Sequence, residues 1–373
     1  MGSGSVRSAR SSVGSFLPAC GSGVGLKQTM ADLNDRTATE PECAICAAVS
    51  RRDFIRSLGV GALATSVPIL GRTAAAAGPA KVGPTPSAPA ETAVARFYKT
   101  LTKEQRKVLC FPFDHPKRSM VNNNWDIVKP SISDMTPEQQ ALCQEIMKNL
   151  CSEDGYERFM KQMEDDSGGF DNYHVAVFGE PGTDQPFEWV LTGRHDTLRA
   201  DGNSVEGAAF GGPIFYGHAA DGHNNEDAKH TNNVWWYQAE QANKIFKTLD
   251  VQQKAQSLVA KAEPDVPKTI QLRGSRLPQT GLAVADLDGQ QKAMVRQLLE
   301  MMLRPFRACD AEEVRECLDA NDGVNKMRLT FFKEGDIGND GVWDIWKLEG
   351  PAFSWYFRGS PHVHTWLNVA RKA

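Results

Sequence analysis

The chain reads as an α+β protein, built from two related units that each place helices ahead of an antiparallel sheet. Three observations point there: a repeated helix start, a repeated hairpin signature, and a near-constant spacing between the copies. The helix starts are Leu101-Thr102-Lys103-Glu104-Gln105, Met135-Thr136-Pro137-Glu138-Gln139, Leu249-Asp250-Val251-Gln252-Gln253 and Leu287-Asp288-Gly289-Gln290-Gln291. Each puts Thr or Asp at the N-cap with Gln three residues on, so that side chains satisfy N–H groups the first turn leaves unpaired. The caps are 34 apart in the first pair and 38 in the second, and the pairs are offset by 148 and 152. The residue four past each cap is polar (Arg106, Gln140, Lys254, Lys292), so the Leu or Met before each cap is expected to enter a core.

A hairpin follows each pair of helix starts. The first runs through Tyr173-His174-Val175-Ala176-Val177-Phe178 and Phe187-Glu188-Trp189-Val190-Leu191-Thr192-Gly193. The second runs through Met327-Arg328-Leu329-Thr330-Phe331-Phe332 and on to Trp346-Lys347-Leu348-Glu349-Gly350. Both end on Trp-x-Leu-x-Gly, and aromatic or β-branched runs bounded by Gly, Pro, Asn and Asp are strand and turn chemistry. Internal duplication is the expected cause, with halves 93–248 and 249–373 of one domain, 93–373. Between them Trp235, Ala239, Ala242, Phe246 and Leu249 keep helical spacing, which reads as a core stripe.

Ahead of this domain stands Ser50-Arg51-Arg52-Asp53-Phe54-Ile55-Arg56, an uncharged stretch over 57–71, and then Thr73-Ala74-Ala75-Ala76-Ala77. Basic, apolar and small-residue regions in that order read as a twin-arginine export signal with its cleavage site. The apolar stretch is shorter than the roughly twenty residues that span a bilayer. Residues 1–77 are therefore expected to be a leader, 78–92 a flexible linker rich in Ala, Pro and Gly, and the product periplasmic or secreted. The export machinery is the expected partner, with no stable membrane association after cleavage. Cys43-Ala44-Ile45-Cys46 has redox or zinc spacing but lies in the leader, and is read as incidental.

The whole chain has a net charge of −4, and the leader holds eight Lys/Arg against five Asp/Glu, so the remainder is more acidic. With no basic run left, nucleic-acid binding is not expected. The remaining cysteines are Cys110, Cys143, Cys151, Cys309 and Cys317. Partners eight apart on a helix are about 12 Å apart, beyond disulfide reach, so any bridge must join different elements; the odd count and export after folding favour buried free thiols.

Three segments could carry chemistry. In His362-Val363-His364-Thr365-Trp366, a strand would aim both imidazoles from one face at one ion. In Gly193-Arg194-His195-Asp196-Thr197-Leu198-Arg199-Ala200-Asp201, read as one alternating strand, His195 could ligate and Arg194 or Arg199 could clamp an anion. Between residues 218 and 230 lie His218, His223 and His230 with Asp221, Glu226 and Asp227. If the halves correspond, His218 would face His362 and His364 across a shared ion. Glu164, Asp165 and Asp166 before Ser167-Gly168-Gly169 read as a solvated helix end. No Gly-x-Ser-x-Gly elbow, phosphate-cradling Gly-x-x-x-x-Gly-Lys-Ser/Thr or Cys-x-x-Cys-His haem motif occurs.

The chain resembles the uncharacterised family called domain of unknown function 3500. Phe111-Pro112-Phe113-Asp114, Met135-Thr136-Pro137-Glu138-Gln139, Phe178-Gly179, Gly193-Arg194-His195 and His362-Val363-His364-Thr365-Trp366 carry the likeness, over about residues 95 to 370. Many relatives have Gly-His-His where this chain has Gly193-Arg194-His195, so His195 stands alone at that strand. The resemblance implies no established activity. The expectation is an exported enzyme that uses zinc, copper or iron to hydrolyse or oxidise a small organic substrate. His195, His218, His362 and His364 are the candidate ligands, Asp196 and Glu226 the acid and base, and Arg194 and Arg199 the substrate contacts. The rival is a non-catalytic periplasmic binding or scaffold protein whose histidines are structural.

Overall fold

A computed structural model describes residues 88–202, 204–221 and 226–373. The leader, its twin-arginine segment, most of the linker, and His223 lie outside the described residues. The helices are α1 (Pro89–Thr100), α2 (Lys103–Leu109), α3 (Pro137–Leu150), α4 (Glu153–Ser167), α5 (Trp236–Thr248), α6 (Val251–Ser257), α7 (Gly289–Leu303) and α8 (Ala308–Asp319). All four capping boxes form, at the starts of α2, α3, α6 and α7. Each cap is worth about 1 kcal/mol, and the capping glutamines also lock to one another. Gln105 and Gln139 exchange side-chain hydrogen bonds at 2.9 and 3.0 Å, and Gln253 and Gln291 do so at 3.3 and 3.1 Å. Leu101, Met135, Leu249 and Leu287, the residues before the caps, are all buried.

Residues 89–92, assigned to the linker by sequence, belong to α1. Pro89 occupies its first turn, Ala90 and Ala93 are fully buried, and Glu91 forms a two-pronged ion pair with Arg307. An Ala/Pro-rich segment suits a helix start as well as a spacer, and burial of one face decides between them.

The strands are β1 (Cys110–Phe111), β2 (His174–Gly179), β3 (Phe187–Gly193), β4 (Asp196–Ala200), β5 (Ile214–His218), β6 (Leu258–Val259), β7 (Leu282–Ala283), β8 (Arg328–Phe332), β9 (Ile345–Gly350), β10 (Phe353–Arg358) and β11 (Val363–Val369). They form one sheet in the order β1-β2-β3-β4-β5-β11-β10-β9-β8-β6, with β7 beside β8. Read from either edge, a two-residue strand pairs in parallel with the next, and three antiparallel pairings follow. The two halves meet where β5 pairs antiparallel with β11. Apart from β7, the two halves therefore share one strand order.

The helices pack on one face of the sheet, where Phe159 of α4 and Trp235 meet Tyr216 of β5. The other face is covered by two irregular segments. Residues 118–127 lie over the first half, with hydrogen bonds to Thr192, Thr197 and Arg199. Residues 262–270 lie over the second, held by Tyr356, Lys347 and Asn368. A small apolar cluster of Val121, Phe215, Ile270, Tyr356 and Trp366 fills this side. The five described cysteines are free. Among the described residues no helix is long and apolar enough to cross a membrane.

Candidate metal centre

His362 and His364 sit two residues apart at the start of β11, so both rings project from the face covered by the irregular segments. His195 reaches them from β3–β4. The sequence reading of residues 193–201 as one strand needs correction here. Gly193 pairs with Asp196, which makes Arg194 and His195 a two-residue turn, and His195 takes φ 62°. The His195 backbone is gripped on both sides: its N–H donates to Asn123 O at 2.8 Å, and its carbonyl accepts from Gly217 N–H at 3.0 Å. Gly217 lies opposite His364 across the β5–β11 seam. A Cβ there would come within 2.4 Å of Val363 O and 3.3 Å of the His364 ring, so only glycine fits.

The three rings converge through Nε2. His362 Nε2 lies 3.1 Å from His195 Nε2 and 2.9 Å from His364 Nε2. One ligand atom from each residue falls within 4.8 Å of the others. Two nitrogens that share an ion at about 2.0–2.1 Å must lie within about 4.2 Å of each other; the two pairs that include His362 do, and all three nitrogens fall within 4.8 Å. The opposite ring nitrogens explain the convergence. His195 Nδ1 donates to Asp166 Oδ2 at 2.8 Å, and His364 Nδ1 donates to Asp265 Oδ2 at 2.7 Å. In a neutral ring the proton is then on Nδ1, and Nε2 presents a lone pair.

Two lone pairs therefore face His362 Nε2, which holds at most one proton to share between them. His362 Nδ1 is buried and has no partner. Without a cation at the centre, at least one of the short contacts sets lone pair against lone pair. Burial, with positive charge on His364, His195, Arg358 and Arg194, depresses His362 to about 2. Burial likewise depresses His364 to about 4, against the opposing pull of Asp265. Asp265 itself is held down to about 2: burial raises it, but the bond from His364, the charges of His364 and Arg358 and the Trp366 N–H together outweigh that. Three imidazoles with carboxylates behind two of them form a donor set suited to zinc, copper or iron.

The other predicted residues lie elsewhere. His218 pairs with Val363, one residue out of step with His364, and so points to the helix-covered face. There its Nε2–H donates to Asp165 at 3.0 Å and its Nδ1 accepts from Val234 N–H at 3.2 Å, which uses both nitrogens. Asp196 is also on the helix side, takes a hydrogen bond from Gln162, and is pushed well above the usual carboxylate range by burial. Glu226 is consumed by His230, Asn233 and the Ala220 N–H. Arg199 is buried against Glu188 and donates to the carbonyls of Arg118, Met120 and Pro213, so it is a structural cation and not a substrate contact. Arg194 does stay beside the centre, with Nε 3.6 Å from Asp166 Oδ1.

Sequence reasoning missed Asp166, Asp265 and Arg358. Asp166 is no solvated helix end. Its side chain is fully buried, and Gly168 and Gly169, at φ 73° and 119°, turn the chain away after α4 while Asp166 stays inward. Asp265 sits in Pro264-Asp265-Val266-Pro267, where no periodicity marks it, and collects His364, Trp366 and Arg358.

A second buried cluster secures the approach to His362. His230 donates from Nδ1 to Glu226 at 2.6 Å and from Nε2 to Asp344 at 2.7 Å, and it stacks on Trp236. Glu226 N–H in turn holds Pro361 O, next to His362. Burial opposes charge on His230, but the bonds to Asp344 and Glu226 outweigh it and raise its pKa. A raised folded value means the ion cluster contributes fully below the unfolded pKa of about 6.5 and fades as pH rises through the folded value. The melting-temperature gap between wild type and His230→Gln is therefore expected to be widest below about pH 6.5 and to shrink above it. A gap that widens with pH would contradict this.

No curated protein and no solved structure matches the chain. A family model does match, over residues 84–365, which is most of its length. The chain belongs to the family described as protein of unknown function DUF3500.

Proposed function

We propose that this protein is an exported, metal-dependent enzyme whose centre of His195, His362 and His364 acts on a small organic substrate. The observation that carries the reading is the meeting of three Nε2 atoms with carboxylates fixing the tautomer of two of the rings. Export rests on the twin-arginine segment at Ser50-Arg51-Arg52. Each ring is only 5–6 % exposed, which restricts access to small molecules. A transition ion there supplies Lewis-acid or redox chemistry, that is, hydrolysis or metal-centred oxidation. The protein's own part is to aim the imidazoles and fix the tautomer of two of them, through Asp166 and Asp265, and to present Arg194 and Arg358 beside them.

The deep burial of the rings also fits the rival reading, a binding or scaffold protein with structural histidines. Metal analysis of protein purified from its native compartment separates the two. About one equivalent of a transition metal per chain is expected, with a rise in melting temperature of several degrees over the chelated form. Less than about 0.2 equivalents of any transition metal, with no thermal response to added zinc, copper or iron, would remove the enzyme reading.

A further inference from the structure

We infer that the ligand completing the three-histidine centre is a small carboxylate-bearing molecule held between Arg194 and Arg358; this rests on the metal reading above. The two arginines stand in matching positions. Arg194 precedes His195 in the β3–β4 turn and approaches Asp166, the carboxylate that holds His195. Arg358 lies directly opposite His364 in the β10–β11 register, and its NH1 is 2.9 Å from Asp265, the carboxylate that holds His364. Arg358 and His364 share the same oxygen, Asp265 Oδ2, so the Arg358 guanidinium lies beside the His364 ring.

Neither arginine is saturated. The Nε of each is buried without a hydrogen bond, that of Arg194 having only the longer 3.6 Å approach to Asp166 Oδ1. Each guanidinium carries five N–H donors in a planar fork that matches a carboxylate. Charge balance points the same way. Asp166 and Asp265 balance Arg194 and Arg358, and an imidazole that ligates an ion does so as the neutral ring, so a divalent ion would leave the set two charges positive. In a nearly water-free site that excess favours an anionic ligand. The low exposure of the three histidines favours a small one.

The test uses the full protein loaded with cobalt(II), whose visible spectrum reports its ligands, with metal content measured on each sample. Acetate is titrated at fixed ionic strength, and acetamide serves as its neutral isostere. Acetate is expected to give a saturable spectral change and acetamide none. Arg358→Gln is expected to weaken acetate binding at least about tenfold, as for loss of a charge-assisted contact, with cobalt content kept. Arg194→Gln, at a side chain 35 % exposed and therefore tolerant of change, should weaken it similarly. Acetamide binding as well as acetate, or both variants binding acetate like wild type, would overturn the inference. Wild type that takes up cobalt but ignores acetate sinks this inference alone; wild type that takes up no cobalt sinks the metal reading and this one with it.

Discussion

His364→Ala is expected to lower bound metal from about one equivalent per chain to below about 0.1 after dialysis, because three-nitrogen chelation becomes two-nitrogen chelation. The same loss is expected for His195→Ala. His218→Ala supplies the control. Its ring bonds Asp165 and the Val234 N–H on the helix side of the sheet, so the variant should lose stability but keep its metal. Asp265→Asn gives the intermediate case. The asparagine keeps the shape but gives His364 a weaker acceptor, and removal of such an outer partner weakens metal affinity by about 10- to 100-fold. Ordered metal contents, with His218→Ala near wild type, Asp265→Asn lower and His364→Ala near zero, describe a chelate. Equal contents in all three would mean that the close histidines serve packing alone.

These assignments show where sequence was sufficient and where it was not. The α+β class, the four capping boxes and both hairpins are local: each depends on residues within a few positions of one another, and each formed as its pattern implied. The pairing of His362 with His364 is equally local, since two residues apart on a strand means one face. The rest depends on register and on distant partners. His218 and Gly217 are adjacent in sequence, yet a step of one places Gly217 against the His364 ring and His218 on the opposite side. Arg199 and Arg358 are both basic strand residues, but the first meets a buried Glu188 and the second reaches the centre through Asp265. Asp265 stands 99 residues from His364 in a proline-bounded loop. No periodicity links such positions, because only the covering segment brings them together.

Arg199→Met offers the sharpest separation of structure from chemistry. Arg199 is fully buried, with NH1 2.5 Å from Glu188 Oε1, and its other donors reach the carbonyls of Met120 and Pro213 at 2.6 and 2.9 Å. Removal of the cation leaves Glu188 buried with Arg118 as its remaining ionic partner. Breaking a buried pair in this way costs about 3–5 kcal/mol, or roughly 10 °C in melting temperature for a domain of this size. Metal content and acetate affinity of the folded protein should change less than about twofold, since no Arg199 donor points at the centre. A double variant, Arg199→Met with Glu188→Leu, should recover part of the loss, because the stranded carboxylate is then gone, and what remains unpaired is the carbonyls and the partly exposed Arg118. If Arg199→Met instead left the melting temperature unchanged and abolished acetate binding, Arg199 would have to face the ligand, and the placement of the covering segment over β4 would be wrong.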